Sequence, residues 1–173
     1  AESLATELHY EPILLELALV QGMEDRLAGR YEDAVARWRT THFAARSLGA
    51  WSLAVESALS IANTFDRHLQ RPVDSMLWAD SAQADGGRVE PGLADAVAIQ
   101  RALSRADATR DEATYAEITT LVDRLQAEQG TASLSYVRAL AARGRIEWIL
   151  GKVDAALESQ RRALELTQAL VGP

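Results

Sequence analysis

The sequence has no cysteine, and that absence removes disulfides, thiolate metal ligands and cysteine nucleophiles together. It also lacks a long apolar run. The longest, Ile13 to Val20, is interrupted by Glu16 and falls well short of the ~20 residues a membrane-spanning helix needs. No membrane insertion by this segment is expected. Basic residues are in deficit, 18 against 25 acidic ones, and the resulting formal charge of -7 repels the phosphates of nucleic acid and of anionic lipid. Nucleic acid is therefore not an expected partner.

Signals for chemistry are equally sparse. Gly151-Lys152 lacks the earlier glycine and the following Ser or Thr of a phosphate loop, having Ile146 and Val153 instead. His9, His42 and His68 have no His-x-x-x-His spacing and read as surface or groove residues rather than metal ligands. The acids of Asp107 to Glu112 have no glycine at the sixth position of a calcium loop and fit a turn between helices better. The expectation is a chain with no enzymatic activity, cofactor or metal.

What the chain does contain is helical periodicity. Apolar residues recur at three- and four-residue spacing from Glu11 to Gly29, from Tyr31 to Leu48, and in six further segments down to Val171. No segment alternates as a half-buried strand would, so the fold class is all-α. The segments group into pairs. Turns beginning at Gly29, Arg71, Ala108 and Gly151 align with one another at offsets of 42, 37 and 43 residues, each with an acid at its fourth position (Glu32, Asp74, Asp111, Asp154). A carboxylate there favours the open N–H groups of a starting helix.

This reading gives an α-solenoid of about four antiparallel helix pairs, at approximately 10–48, 50–87, 90–129 and 131–171, within an array over 10–173. Residues 1–9 read as the tail of a preceding repeat or a linker, and Leu170 to Pro173 as the start of another linker, as in a window of a longer array. Gly22 and Gly144 each precede their turn glycine by seven residues, where a small residue admits a close second helix, with Ala34 and Ala156 expected to face them. Thr64 and Arg101 stand at that position in the middle pairs on this alignment. Trp38, Trp51 and Trp78 read as packing residues between helices.

Gly22, Gly29, Tyr31, Ala34 and Trp38, with Gly144, Gly151, Ala156 and Ala163, resemble the pattern of the tetratricopeptide repeat family. The ~40-residue period resembles its longer-period members rather than the commonest 34-residue form. Arg71, Pro72, Trp78 and Ala79, with Leu170, Gly172 and Pro173, further resemble the C-terminal repeat region of bacterial serine/threonine protein kinases. The resemblance implies a protein-binding or scaffolding module, the regulatory region of a larger signalling protein. It implies a cytoplasmic location, or an extracytoplasmic part of a membrane-tethered parent. The Lys and Asn clamp of repeats that hold chaperone C-termini is ruled out, since Lys152 and Asn63 are the only residues of their kinds.

In stacked pairs the first helices line an inner surface. The turn alignment places Arg26, His68, Arg105 and Trp148 in one inward row and Met23, Phe65, Ala102 and Arg145 in the next, with Arg138 one turn further back. Such a strip suits an extended, acidic peptide: arginine forks hold carboxylates, and Phe65 and Trp148 anchor apolar groups. The bland reading is that Met23, Phe65 and Trp148 are core and that the arginines pair with acids on their own helices. A ligand-sensing domain holding a peptide or small molecule in the groove is the competing function, and self-association through uncovered ends of the array is a further expectation.

Overall fold

The computed structural model describes residues 11–172, apart from the side chain of Val171. The expected repeat tail at 1–9, His9 and Pro173 lie outside the described residues. Eight α-helices follow one another with no strand among the described residues: α1 Glu11–Leu27, α2 Tyr31–Ser47, α3 Trp51–Arg67, α4 Pro72–Asp85, α5 Pro91–Thr109, α6 Glu112–Gln129, α7 Leu134–Ile149 and α8 Val153–Val171. A single 3-10 turn, Gly86–Arg88, separates α4 from α5.

The helix ends follow from local chemistry. Asp111 and Ser133 cap α6 and α7, their side-chain oxygens accepting from the Thr114 and Tyr136 N–H groups. Pro72 opens α4, where its missing N–H is harmless. Gly29 and Gly151 end α1 and α7 in the left-handed conformation, at φ 78° and 76°. The N–H groups of the residues after them, Arg30 and Lys152, donate to the carbonyls of Asp25 and Glu147, closing otherwise open helix ends.

The turns correct the sequence alignment. The left-handed residue in the two middle turns is Gln70 and Arg110, at φ 54° and 53°, rather than a residue at Arg71 and Ala108. The second helices accordingly begin at Tyr31, Pro72, Glu112 and Val153, at offsets of 41, 40 and 41 residues. The first helices α1, α3 and α5 begin at Glu11, Trp51 and Pro91, at an even spacing of 40. The shared acid at the fourth turn position disappears on this register. Val73 and Ala113 occupy it in the middle turns, because the turn after α3 is one residue longer than the turn after α1.

On the even spacing the residue equivalent to Gly22 is Ala62 in α3 and Ala102 in α5, not Thr64 and Arg101. Both alanines are buried, so a small residue stands at this contact in each of these helices and at Gly144 in α7. What it faces also differs from expectation. A Cβ on Gly22 would lie 2.6 Å from Trp38 Cε2, and one on Gly144 would lie 3.1 Å from Ser159 Cβ and 2.9 Å from Gln160 Nε2. The large Trp38 therefore occupies the space that glycine opens, and its Nε1–H donates to the Leu19 carbonyl at 3.0 Å.

Two compact units divide the chain, Ala1–Val97 and Ala98–Pro173. In the first, α1 packs on α2, α2 on α3, α3 on α4, and α1 also touches α3. Leu19, Ala34, Val35, Trp38, Ile61 and Phe65 form one core cluster there, and Val55, Ala58, Ala82 and Val97 form another. Full burial of each large side chain contributes about 1.5–3 kcal/mol. In the second unit α6 packs on α7 and α7 on α8, around Ile118, Val122, Leu125, Leu140 and Ile146.

Contacts within each unit recur across one repeat length. Arg71 approaches Glu32 (4.0 Å), His42 Nε2 lies 3.4 Å from Ser81 Oγ, and the rings of Tyr31 and His68 stack at 4.4 Å. In the second unit Lys152 Nζ meets Glu112 at 2.9 Å and Arg145 meets Asp107 at 2.6 Å. His42 departs from the surface position expected of it. It is fully buried, with Nδ1 2.8 Å from the Ala54 carbonyl and its ring against Phe43 and Trp78.

The tryptophans pack as anticipated. Trp38 is buried, Trp78 is half-buried against His42, and Trp51 is half-buried beneath the Arg88 guanidinium at 4.1 Å.

Candidate functional site

The eight residues expected to line a groove divide between the units. Met23, Arg26, Phe65 and His68 belong to the first; Arg105, Arg138, Arg145 and Trp148 belong to the second. In the first unit Phe65 is only 2% exposed and sits in the core with Ile61 and Trp38, with the Arg71 guanidinium 4.8 Å from its ring centre. It is not a surface anchor. The even spacing explains why: the residue of α3 equivalent to Met23 is the half-buried Asn63, two positions before Phe65. His68 falls outside the row as well, lying beyond the end of α3 with its ring stacked on Tyr31.

The surface that α1 and α3 do share runs through Ile13, Glu16, Val20, Met23 and Leu27 on α1, matched by Leu53, Glu56, Ser60, Asn63 and Arg67 on α3. Sequence reasoning missed its acidic end. Burial pushes the Glu56 carboxyl above the usual carboxylate range, and the charges of Glu90 and Glu16 push it further the same way. Three carboxylates from the starts of α1, α3 and α5 thus act on one another across one 40-residue step and the next. The signal was present in the sequence as Glu16 and Glu56, 40 residues apart, and an even period would have found it.

The second unit carries the cationic and aromatic face. Arg138, Arg145 and Trp148 lie at i, i+7 and i+10 on α7, one stripe of a 3.6-residue helix. Trp148 is 66% exposed and Arg138 is exposed, while Arg145 is partly buried by its bond to Asp107 of α5. Arg105 is tied to Glu117 of α6 at 2.6 Å. Of the expected cations, then, Arg105 and Arg145 pair with acids on neighbouring helices rather than on their own. Residue 105 also leaves the inward row, because the turn after α5 carries its left-handed residue at Arg110.

A second concentration of charge lies on the α1/α2 turn. Asp25 is buried and accepts from Arg30 Nε and Arg37 Nε, each at 3.0 Å. The hydrogen bond from Arg30, then that from Arg37, holds its carboxyl below the usual range. Beside it, α1 and α2 enclose an open cleft of about 640 Å³ lined by Leu15, Ala18, Arg37 and Thr40, continued by about 310 Å³ beside Leu14, Ala44 and Leu48.

No group of His, Asp or Glu among the described residues is arranged to hold a metal ion. No helix among them is long and apolar enough to cross a membrane. No protein-family model, curated protein or solved structure matches the chain.

Proposed function

We propose that this chain is a helical-repeat module of the tetratricopeptide type, about four stacked pairs whose work is to bind an extended, acidic segment of a protein partner and not to catalyse a reaction. The observation that carries the reading is the recurrence of equivalent contacts one repeat apart. The turn cation of one pair meets an acid at the start of the second helix in the pair before it, as Arg71 does with Glu32 and as Lys152 does with Glu112. Contacts of this kind are what stacked repeats make with their nearest neighbours. The peptide-binding stripe is Arg138, Arg145 and Trp148 on α7, where an exposed indole supplies an apolar anchor and two guanidinium groups receive carboxylates. The acids Glu16, Glu56 and Glu90 repel such a ligand in the first unit, which confines the proposal to the second. Placement in the regulatory region of a larger signalling protein, such as a bacterial serine/threonine kinase, extends the same proposal on the strength of the sequence resemblance.

The test is selection of extended peptides from a random display library, followed by titration calorimetry. Selected peptides should be enriched in Asp and Glu with an aromatic or aliphatic residue between them. Trp148→Ala should weaken binding by about 30-fold, the effect of losing a hot-spot side chain worth ~2 kcal/mol. Arg138→Glu should weaken it further as the peptide charge grows. Selected peptides without acidic excess, or affinities indifferent to both changes, would refute the assignment.

A further inference from the structure

We infer that the exposed face of α8 docks into the α1/α2 cleft of a second copy of this chain. This deepens the stacked-repeat reading above and rests on it. The argument starts from an interface the first unit already contains. There α2 presents Val35, Trp38 and His42 to the next pair, and α3 receives them along Ala54, Ala58, Ile61 and Phe65. All seven side chains are at most 2% exposed.

The helix equivalent to α2 is α8, 122 residues on, as the starts at Tyr31 and Val153 fix. A side-chain contact supports the same register. Trp38 fills the space over Gly22, and Gln160, 122 residues after Trp38, fills the space over Gly144. The residues of α8 equivalent to Val35 and His42 are therefore Leu157 and Leu164. Each is 59% exposed. Two leucines stand in water at positions whose counterparts are buried by a neighbouring pair, and Val153 at 46% extends the stripe. Apolar surface of this kind gains by association.

The receiving face is found in the same way. The residues of α1 equivalent to Ala54, Ala58, Ile61 and Phe65, 40 positions earlier, are Leu14, Ala18, Gln21 and Asp25. Leu14, Ala18 and Asp25 line the cleft. On α2 the residues equivalent to Trp78 and Ser81, which touch His42 inside the first unit, are Arg37 and Thr40, and both line it too. The cleft is thus the register counterpart of a surface that elsewhere in the chain accepts the second helix of another pair.

Charge selects a second copy as the occupant. Within the first unit Arg71, the residue before α4, approaches Glu32 near the start of α2. Applied between copies, the same step brings Arg30, the residue before α2 in one copy, to Asp154 near the start of α8 in the other. Arg30 is 53% exposed and Asp154 is exposed, so both are available. The interface is heterologous, since the two faces differ, and each copy keeps one unused face after the first contact.

Sedimentation equilibrium tests this directly. The mean mass of the chain should rise with concentration past that of a dimer. Leu164→Arg on α8 and Thr40→Arg in the cleft change exposed residues, so both variants should keep their helical circular dichroism. Each alone should be monomeric, with association weakened at least tenfold. Mixed in equal amounts they should form a dimer and stop there, because each retains one intact face of the opposite kind. A wild-type chain that remains monomeric at several hundred micromolar, variants that associate as the wild type does, or a mixture that fails to pair would overturn the inference. Peptide binding by monomeric Leu164→Arg reports on the proposed function separately, so one reading can fail while the other stands.

Discussion

Replacing Gly22 with alanine sets two known effects against each other. Alanine in place of glycine in a helix interior stabilises by about 1 kcal/mol when the new methyl meets nothing. Here it meets the indole of Trp38, with ring carbons at 2.6 and 2.7 Å from the Cβ position. Trp38 is fully buried, and its ring is fixed by the bond from Nε1 to the Leu19 carbonyl, so it has little room to retreat. Overpacking of this kind destabilises by about 1–3 kcal/mol. Displacing the ring also leaves a buried donor and acceptor unpaired, for about 1–3 kcal/mol more. After the helix-propensity gain the net change is a loss of about 2–3 kcal/mol, larger than the usual effect of a point substitution.

Gly144→Ala is the control. Its nearest neighbour is the amide end of the exposed Gln160 side chain, which can swing away, and the Ser159 Cβ at 3.1 Å needs to yield only a few tenths of an ångström. That variant should lie between neutral and about 1 kcal/mol more stable. Urea unfolding followed by far-ultraviolet circular dichroism measures both. Repeating Gly22→Ala in a Trp38→Phe background should shrink its effect, since the smaller ring removes the overlap. A Gly22→Ala protein as stable as the wild type, or a penalty that the Trp38→Phe change leaves untouched, would refute the packing argument.

Two further outcomes follow from the turns and from the buried charge. Gln70→Gly and Arg110→Gly should each stabilise by about 0.5–1 kcal/mol, since a non-glycine residue in the left-handed region costs about 1–2 kcal/mol and glycine returns part of that as unfolded-chain entropy; thermal unfolding midpoints that fall would count against the assigned turn conformation. Glu56→Gln should raise stability at pH 7 by about 0.5 kcal/mol, the scale of a partly exposed like-charge contact. Its folded-state carboxyl is raised, so the charge opposes folding once the pH exceeds its folded value, and the benefit of the substitution should vanish below the ordinary glutamate range, near pH 4. A benefit that persists at pH 3 would show that charge is not the cause.

Asp25 has the opposite sign to Glu56. Its carboxyl is held low by Arg30 and Arg37, so its contribution is present above the ordinary aspartate range and is lost as the pH falls through its folded value. Among these groups, acid loosens the α1/α2 turn while relieving the α1–α3 repulsion.

Helix identity was legible in the sequence because it depends on spacing along one chain: apolar residues three and four apart, a proline at a start, a glycine at a stop. The packing role of Gly22 was legible too, but its partner was not. Trp38 lies sixteen residues away on another helix, and only the approach of the two helices puts its ring over that glycine. The inward rows fared worse. The turn Ala28–Arg30 has three residues and the turn His68–Arg71 has four, so an alignment made on turns slips against one made on first helices. That slip moved Phe65 from the core to the groove and hid the pairing of Glu16 with Glu56. Sequence alone settled that the chain is helical, free of thiol chemistry and built on a period near 40 residues, because composition and local periodicity suffice for those. Tertiary structure decided which side chains meet one repeat apart and which leucines of α8 stay in water, because those depend on how each pair is seated on the next.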